Sequence, residues 1–435
     1  MKKQVQKKIE NLFTIVVILL FTEGIFRKWI FSTGGDLFLV LRDPFVLMIL
    51  YYGIKQHLVK NHLVKLMLWI SLLTFFNTML FGHQNLWVAI YGVRITFLYF
   101  PAMYISGICL SREYVMKIGK YLLFLFIPIL LVSIMQFLSP SGAWINTGQG
   151  SDDSMGVSAG ELFMRPSSIF MYVTGVTNYY FVTFCFIVYL MIYRNNELQL
   201  SKWFGVILII AYLISIPVSI SRTHLFMTVI AITIYSIFVF KRQTQITILS
   251  FVAIIVALLP LLYSITEFSL FVDIFMARLT GANDTEGGAA NSAINRTFGY
   301  AFNVMNNNLP FFGYGEGYCT NVGIKMIYGT VGISNISDPV VYQRLADSEM
   351  EWSRILTEDG PFLGLVIIML RIAMALQMFK MAYRKLVCND ILPMLLIPPA
   401  LIWVATASIK SPSNLAFMFM AGALFLAAYY HPKNN

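Results

Sequence analysis

"ADSEMEWSRILTEDGPFLG" (346–364) runs directly into "LVIIMLRIAMALQMF" (365–379). The first stretch packs Asp347, Glu349, Glu351, Arg354, Glu358 and Asp359 into thirteen residues; the second is apolar, with Arg371 as its one charge. An apolar run approaching eighteen residues has bilayer-spanning length. Gly360-Pro361 is a helix breaker between the two. The stretch therefore reads as a charged segment at the mouth of a membrane span. At helical spacing, Asp347, Glu351, Arg354 and Glu358 share one face of a short amphipathic helix that leads into the span.

The rest of the chain repeats the apolar part of this pattern. Its 435 residues are 58% hydrophobic and 12% charged, with a mean hydropathy of +0.72. A soluble chain is about 25% charged. The expected fold class is all-α, a polytopic integral membrane protein of about twelve spans: 11–31, 37–54, 63–80, 86–108, 119–138, 169–193, 203–220, 224–240, 246–263, 362–380, 391–408 and 414–430. The first is too long, and has too many successors, for a cleaved signal peptide. Cys109, Cys185, Cys319 and Cys388 are scattered, which indicates neither a zinc site nor a disulfide framework. No metal or cofactor is expected. The net charge of +10 is no sign of nucleic acid, because it is distributed by topology.

Orientation follows from that distribution. One set of short connections holds Lys2, Lys3, Lys7, Lys8, Lys55, Lys60, Lys65, Arg112, Lys117, Lys120, Arg194, Lys202, Lys241, Arg242, Lys380, Arg384, Lys385 and Lys433. The opposite set is poorer, and most of its cations lie in one long loop. Both termini are expected in the cytoplasm. The outward side then carries a smaller loop, 139–168, and a large cap, 264–361, with helices expected over 266–279, 291–308 and 343–359.

Several charges fall in or near spans, where an arginine costs several kcal/mol unless it snorkels, pairs or faces a cavity. Glu23 and Arg27 are spaced as a pair. Arg42 and Asp43 stand at the outer end of the second span. Lys28 and Arg371 read as interfacial anchors, while Arg94, in mid-span, reads as a member of a network. In "SISRTHLF" (219–226) Ser221 or Thr223 can cap a tight turn, and Arg222 sits at the outer boundary, where guanidinium geometry suits phosphate. The cluster at 346–364 and Arg165 are on the same side. A carboxylate among arginines there can act as a base while the arginines steady phosphate charge.

"EGIFRKW" (23–29), "LRDPFVLMILYY" (41–52), "SRTHLF" (221–226), "LPFFGYGEG" (309–317) and "SEMEWSRILTEDGPFLGL" (348–365), in that order, resemble elements of the bacterial O-antigen polymerase and O-antigen ligase superfamily. The resemblance implies a GT-C-like glycosyltransferase of the inner membrane that works on its periplasmic face. Its substrates would be oligosaccharide repeat units carried on polyprenyl diphosphate, in contact with membrane lipids, and a chain-length regulator is a further partner it allows. It implies metal-independent glycosyl transfer with diphosphate as leaving group. Arg222 is the first choice to bind the diphosphate, followed by Arg296 and Arg354, then Arg165 and Arg94. Family ligases carry a His-Asn pair eleven residues before the glycine matched by Gly360, and that register places Glu349 here. This favours polymerase over ligase. It leaves Glu349 and Glu351 as the candidate bases, with Glu349 in the better register. Glu358 matches a family glutamate; His224 and Tyr314 are supporting residues. The alternatives are ligase-type transfer to a lipid or protein acceptor and, in a different class, a transporter of lipid-linked sugars. Against a transporter stands the asymmetry of a chain with one long loop and no repeated halves.

Overall fold

The computed structural model describes residues 3–31, 38, 40–140, 142–147, 165–192, 197–239, 263, 266–286, 295–306, 309–330 and 332–432. The regular elements among these residues are helical. In chain order they are α1 (Lys3–Ile25), continued by a π-helical turn (Phe26–Ile30); α2 (Asp43–Lys55); α3 (His62–Leu80); α4 (Leu86–Val93), joined by a π-helical turn (Arg94–Leu98) to α5 (Tyr99–Cys109); α6 (Arg112–Leu138); α7 (Val173–Ile192); α8 (Lys202–Val218); and α9 (Arg222–Phe238). The cap contributes α10 (Thr266–Glu286), α11 (Tyr300–Asn306), α12 (Asn321–Tyr328) and α13 (Pro339–Asp347). Then come α14 (Glu351–Val387), α15 (Leu392–Thr406) and α16 (Pro412–Tyr430).

Seven of the described helical segments are long and apolar enough to cross a membrane, and α8, α9 and α15 are shorter apolar helices. A helix stands at every expected span except 246–263, of which only residue 263 is described. The helices begin where small polar residues can accept an amide. Asn61 accepts from Leu63 at 2.9 Å, Ser111 from Tyr114 at 3.2 Å, Ser201 from Phe204 at 3.2 Å and Ser221 from His224 at 3.4 Å.

The helices form one bundle with α7 and α16 at its centre. Their apolar windows are 89% and 83% buried, against 33% for α3. The face that α3 leaves outside is itself apolar, with Trp69, Leu72, Leu73, Phe76 and Leu80 on successive turns. The outer face of α14 likewise presents Phe362, Leu365, Met369, Leu376 and Tyr383. Stripes of this size would be costly in water and suit lipid chains. This is a multi-pass membrane protein.

Polar contacts sort to the two ends of the bundle. At one end Arg112 pairs with Glu197 (3.0 Å) and Asp390 (2.8 Å), and His431 meets the Ile108 carbonyl. At the other end Lys28 donates to the Ser168 carbonyl (2.8 Å), Arg42 to the Pro412 carbonyl (3.1 Å) and Asn77 to the Phe312 carbonyl (2.7 Å). The first end carries the Lys/Arg-rich connections, and the second carries the cap.

The cap departs from expectation chiefly in its last helix. The helix expected over 343–359 is broken: α13 ends at Asp347, and α14 starts at Glu351. Asp347 therefore does not share a helix face with Glu351. Its carboxylate instead accepts from Gln343 Nε2 at 2.9 Å. The helix expected over 266–279 runs on to Glu286, and that over 291–308 is described as a π-helical turn (Asn295–Gly299) followed by α11. Much of the smaller loop, 148–164, lies outside the described residues.

Candidate functional site

The segment "GYGEG" (313–317) alternates small residues with Tyr314 and Glu316. Gly313, Gly315 and Gly317 have φ of +70°, +99° and +85°, a region that other residues enter only with strain. These turns lay the loop over the foot of α14. Tyr314 N–H donates to the Thr357 carbonyl at 2.9 Å, and Gly315 N–H to the Glu358 carbonyl at 2.7 Å. Carbonyls that lose helical partners at the break are thus satisfied by the loop. The break is Gly360 (φ 77°, ψ 176°), after which Pro361 opens the membrane part of α14.

The other side of the loop is pinned to the α3–α4 corner. Thr78 Oγ1 accepts from Glu316 N–H at 2.8 Å, and His83 N–H donates to the Tyr314 carbonyl at 3.1 Å. Gly92 and Gly317 meet backbone to backbone, because a Cβ on Gly92 would lie 2.3 Å from Gly317 N. The chain can go only one way here, and it drives the Glu316 side chain inward.

Glu316 enters a buried cluster that joins three parts of the chain. Thr96, on the π-helical turn, donates to Glu316 Oε2 at 3.0 Å and accepts from Arg354 Nη2 at 3.3 Å. Arg354 grips Glu351 with Nη2 (2.9 Å) and Nε (3.3 Å), and pairs through Nη1 with Glu358. Glu358 also accepts from Cys319 N–H at 2.9 Å. Glu351 takes a second guanidinium, Arg371, and the Ile409 amide at 3.1 Å. Arg371 donates to the carbonyls of Val404 (2.9 Å) and Ala407 (3.1 Å), at the C-terminal end of α15. Thus Arg371 is no interfacial anchor. It lies fully buried and completes a helix end whose orphan carbonyls attract a cation. Lys28 is likewise buried, on Ser167 Oγ and the Ser168 carbonyl, rather than reaching the interface. In both cases bundle contacts outweigh snorkelling.

Two guanidiniums face four carboxyls in this cluster. The excess sits on Glu316 and Asp359, which lie within hydrogen-bonding range of one another. Neither Asp359 oxygen has a donor among the described residues, nor has Glu316 Oε1. Burial and mutual repulsion favour a proton on this pair, which would act as the missing donor. The Glu316 carboxyl is raised well above its ordinary range, first by burial and next by the charge of Glu358.

The expected site residues divide by accessibility. Glu351, Arg354 and Glu358 are together in the sealed cluster. Arg94 is held bidentately by Asp43, at 2.5 and 3.0 Å, with Tyr99 OH on the same carboxylate at 2.7 Å. His224 is buried between Tyr212 OH (3.2 Å) and Ser219 Oγ (3.3 Å), and stacks on Tyr180. Glu349, in the turn between α13 and α14, is exposed. Arg222, at the first turn of α9, and Arg165, before α7, are half-buried. Arg296 lies in the Asn295–Gly299 turn, and its side chain is outside the described set. Tyr314 lies beneath the Arg344 guanidinium (4.1 Å) and against Tyr318 (ring centroids 5.0 Å).

Glu316 and Asp359 carried no assigned role in the sequence reading. A glutamate between two glycines was the available signal, since the glycines announce a backbone shaped to place that one side chain. No protein-family model, curated protein or solved structure matches the chain.

Proposed function

We propose that the chain polymerises oligosaccharide repeat units carried on polyprenyl diphosphate, acting at the cap end of the bundle on the periplasmic face of a bacterial inner membrane. The observation that carries this reading is the sealed Arg354–Glu351–Arg371 cluster beneath the Gly-rich loop. This network joins the foot of the cap to the membrane part of α14 and the turn after α15, and losing one partner would leave a buried charge uncompensated. A rigid floor at the membrane boundary is what transfer between two lipid-linked glycans requires.

In this reading the accessible groups do the chemistry and the sealed ones position them. Arg222 holds the diphosphate. It stands at the N-terminal turn of α9, where the helix dipole also favours an anion. Arg165 and Arg296 are the further candidates for phosphate charge. Glu349 removes the proton from the acceptor hydroxyl, whose oxygen bonds to the anomeric carbon of the donor. The bond from that carbon to the diphosphate oxygen breaks, and the lipid diphosphate leaves with the electron pair, its charge steadied by guanidinium. Arg354 and Arg371 act through position, because carboxylates already occupy them.

Lipid-linked glycans from a strain lacking the gene test the reading. Single repeat units on the lipid at the periplasmic face are the expected accumulation. Long lipid-linked chains that fail to reach an acceptor would indicate a ligase. Units retained on the cytoplasmic face would indicate a flippase.

A further inference from the structure

Above Thr357 the cap holds a cavity of about 410 Å³, lined on its polar side by Tyr314, Gln343, Arg344, Asp347 and Thr357. Its size falls in the range of small-molecule sites, about 300–1,000 Å³. Arg344 is the notable group in this wall. Its guanidinium lies flat on Tyr314 at 4.1 Å and donates to Tyr318 OH at 3.3 Å. The groups facing its charge are the phenols of Tyr314, Tyr318 and Tyr328. No carboxylate among the described residues forms an ion pair with it. The buried arginines of the membrane cluster and Arg94 each hold a carboxylate; this one stacks on an aromatic ring and lines the cavity.

We propose that this cavity is a subsite for a sugar residue bearing a carboxylate, a uronate-type unit of the glycan, with Arg344 as the carboxylate-binding residue. The other lining groups fit the hydroxyls of such a ring. Asp347, oriented by Gln343 at 2.9 Å, accepts from them, and the Gln343 amide completes the polar set above a floor at Thr357, whose hydroxyl is taken up by Ser348 and the Ser353 carbonyl. Charge argues against a diphosphate. Arg344 and Asp347 together leave the wall neutral, so a single carboxylate adds one net negative charge beside the arginine, whereas a diphosphate would add two or more against Asp347. Val304, Leu309 and Val340 supply the apolar wall for the ring's carbon face. Thr357 connects the floor to the sealed cluster, being bonded to Ser348 Oγ at 2.6 Å and adjacent to Glu358. The subsite deepens the polymerase reading and rests on its glycan chemistry.

The test is saturation-transfer NMR on the purified full-length protein in detergent, with glucuronate, glucose and inorganic phosphate as separate probes. Glucuronate is expected to bind about tenfold or more tightly than glucose, and phosphate is expected not to displace it. Arg344→Gln should remove that preference. Asp347→Asn, which leaves the Arg344–Tyr314 stack in place, should strengthen glucuronate binding and so guards against a folding artefact. Equal binding of glucose and glucuronate, displacement by phosphate, or an Asp347→Asn variant that loses glucuronate would each overturn the proposal. Elongation of neutral glycans by wild type and Arg344→Gln alike, without glucuronate binding, would sink the subsite and leave the polymerase. Glucuronate binding by a protein that elongates nothing would do the reverse.

Discussion

Glu351 and Arg371 form an ion pair with side chains 1% and 0% exposed, across the Gly360 break that separates the foot of the cap from the membrane part of α14. The same carboxylate holds Arg354 and the Ile409 amide. One group therefore ties together the cap, α14 and the turn after α15. Its role is to hold these parts together, and the cost of losing it can be measured.

Removing Arg371 leaves Glu351 short of a partner and the carbonyls of Val404 and Ala407 without a donor. Arg371→Met is expected to cost about 3–5 kcal/mol, the usual loss when one member of a buried pair is deleted. Arg371→Lys should recover little, since a single ammonium cannot reproduce the planar fork that serves a carboxylate and several carbonyls at once. Denaturant unfolding of the detergent-solubilised protein checks both.

Two left-handed glycines provide an internal contrast. At Gly329 (φ +70°) a Cβ would meet open space, so Gly329→Ala should cost only the backbone strain, about 1–2 kcal/mol. At Gly313, also at φ +70°, a Cβ would lie 2.3 Å from the Glu358 carbonyl oxygen. Gly313→Ala should therefore be clearly the worse of the two in thermal unfolding, and it should loosen the cap. Equal costs would mean that the loop is not pressed on α14.

The Glu316–Asp359 pair predicts a pH dependence. Glu316 is raised in the folded state above its ordinary value of 4.5. The folded form thus holds a proton that the unfolded chain releases, and this contribution to stability is full below the unfolded value. It is lost as pH rises through the folded one. Glu316→Gln supplies a permanent donor in place of that proton. It should flatten the decline of stability above pH 4.5 and leave the variant more stable than wild type on the alkaline side. A wild-type stability that rises with pH in that window would contradict the pairing.

Topology can be read with the chain's own thiols. Cys388 is exposed, whereas Cys109, Cys185 and Cys319 are buried. With both termini cytoplasmic, a membrane-impermeant maleimide applied from the periplasm should leave wild type unlabelled. Ser334→Cys, at an exposed cap position, should be labelled readily. Labelling of Cys388 from outside would invert the assigned orientation.

Hydropathy made the helical bundle legible, because length and apolarity are local properties. Ser221, one of two candidates to cap its turn, accepts from His224 N–H at 3.4 Å, and the Glu23–Arg27 pair (3.1 Å) could be read from i, i+4 spacing. The partners of Lys28 and Arg371 were not legible. Ser168 and the α15 carbonyls are remote in sequence, and isolated cations in apolar runs look the same whether they snorkel or are enclosed. The charge cluster at 346–364 was visible as a cluster, yet its burial was not. That depended on "GYGEG" folding over it, through glycine torsions that composition does not encode. The same contact brings Glu316 beside Asp359.

The central claim is glycan polymerisation, with Arg222 on the diphosphate and Glu349 as base. Its most direct measurement uses purified protein in proteoliposomes, supplied with a polyprenyl-diphosphate-linked repeat unit and no other enzyme, with products resolved by chain length. A ladder of lengthened lipid-linked glycans is expected, with release of polyprenyl diphosphate. Arg222→Ala and Glu349→Gln should each slow elongation about a hundredfold or more at unchanged protein level. A ladder of wild-type rate from both variants would remove these residues from the chemistry. No lengthening by a folded, lipid-embedded wild type would contradict the polymerase itself.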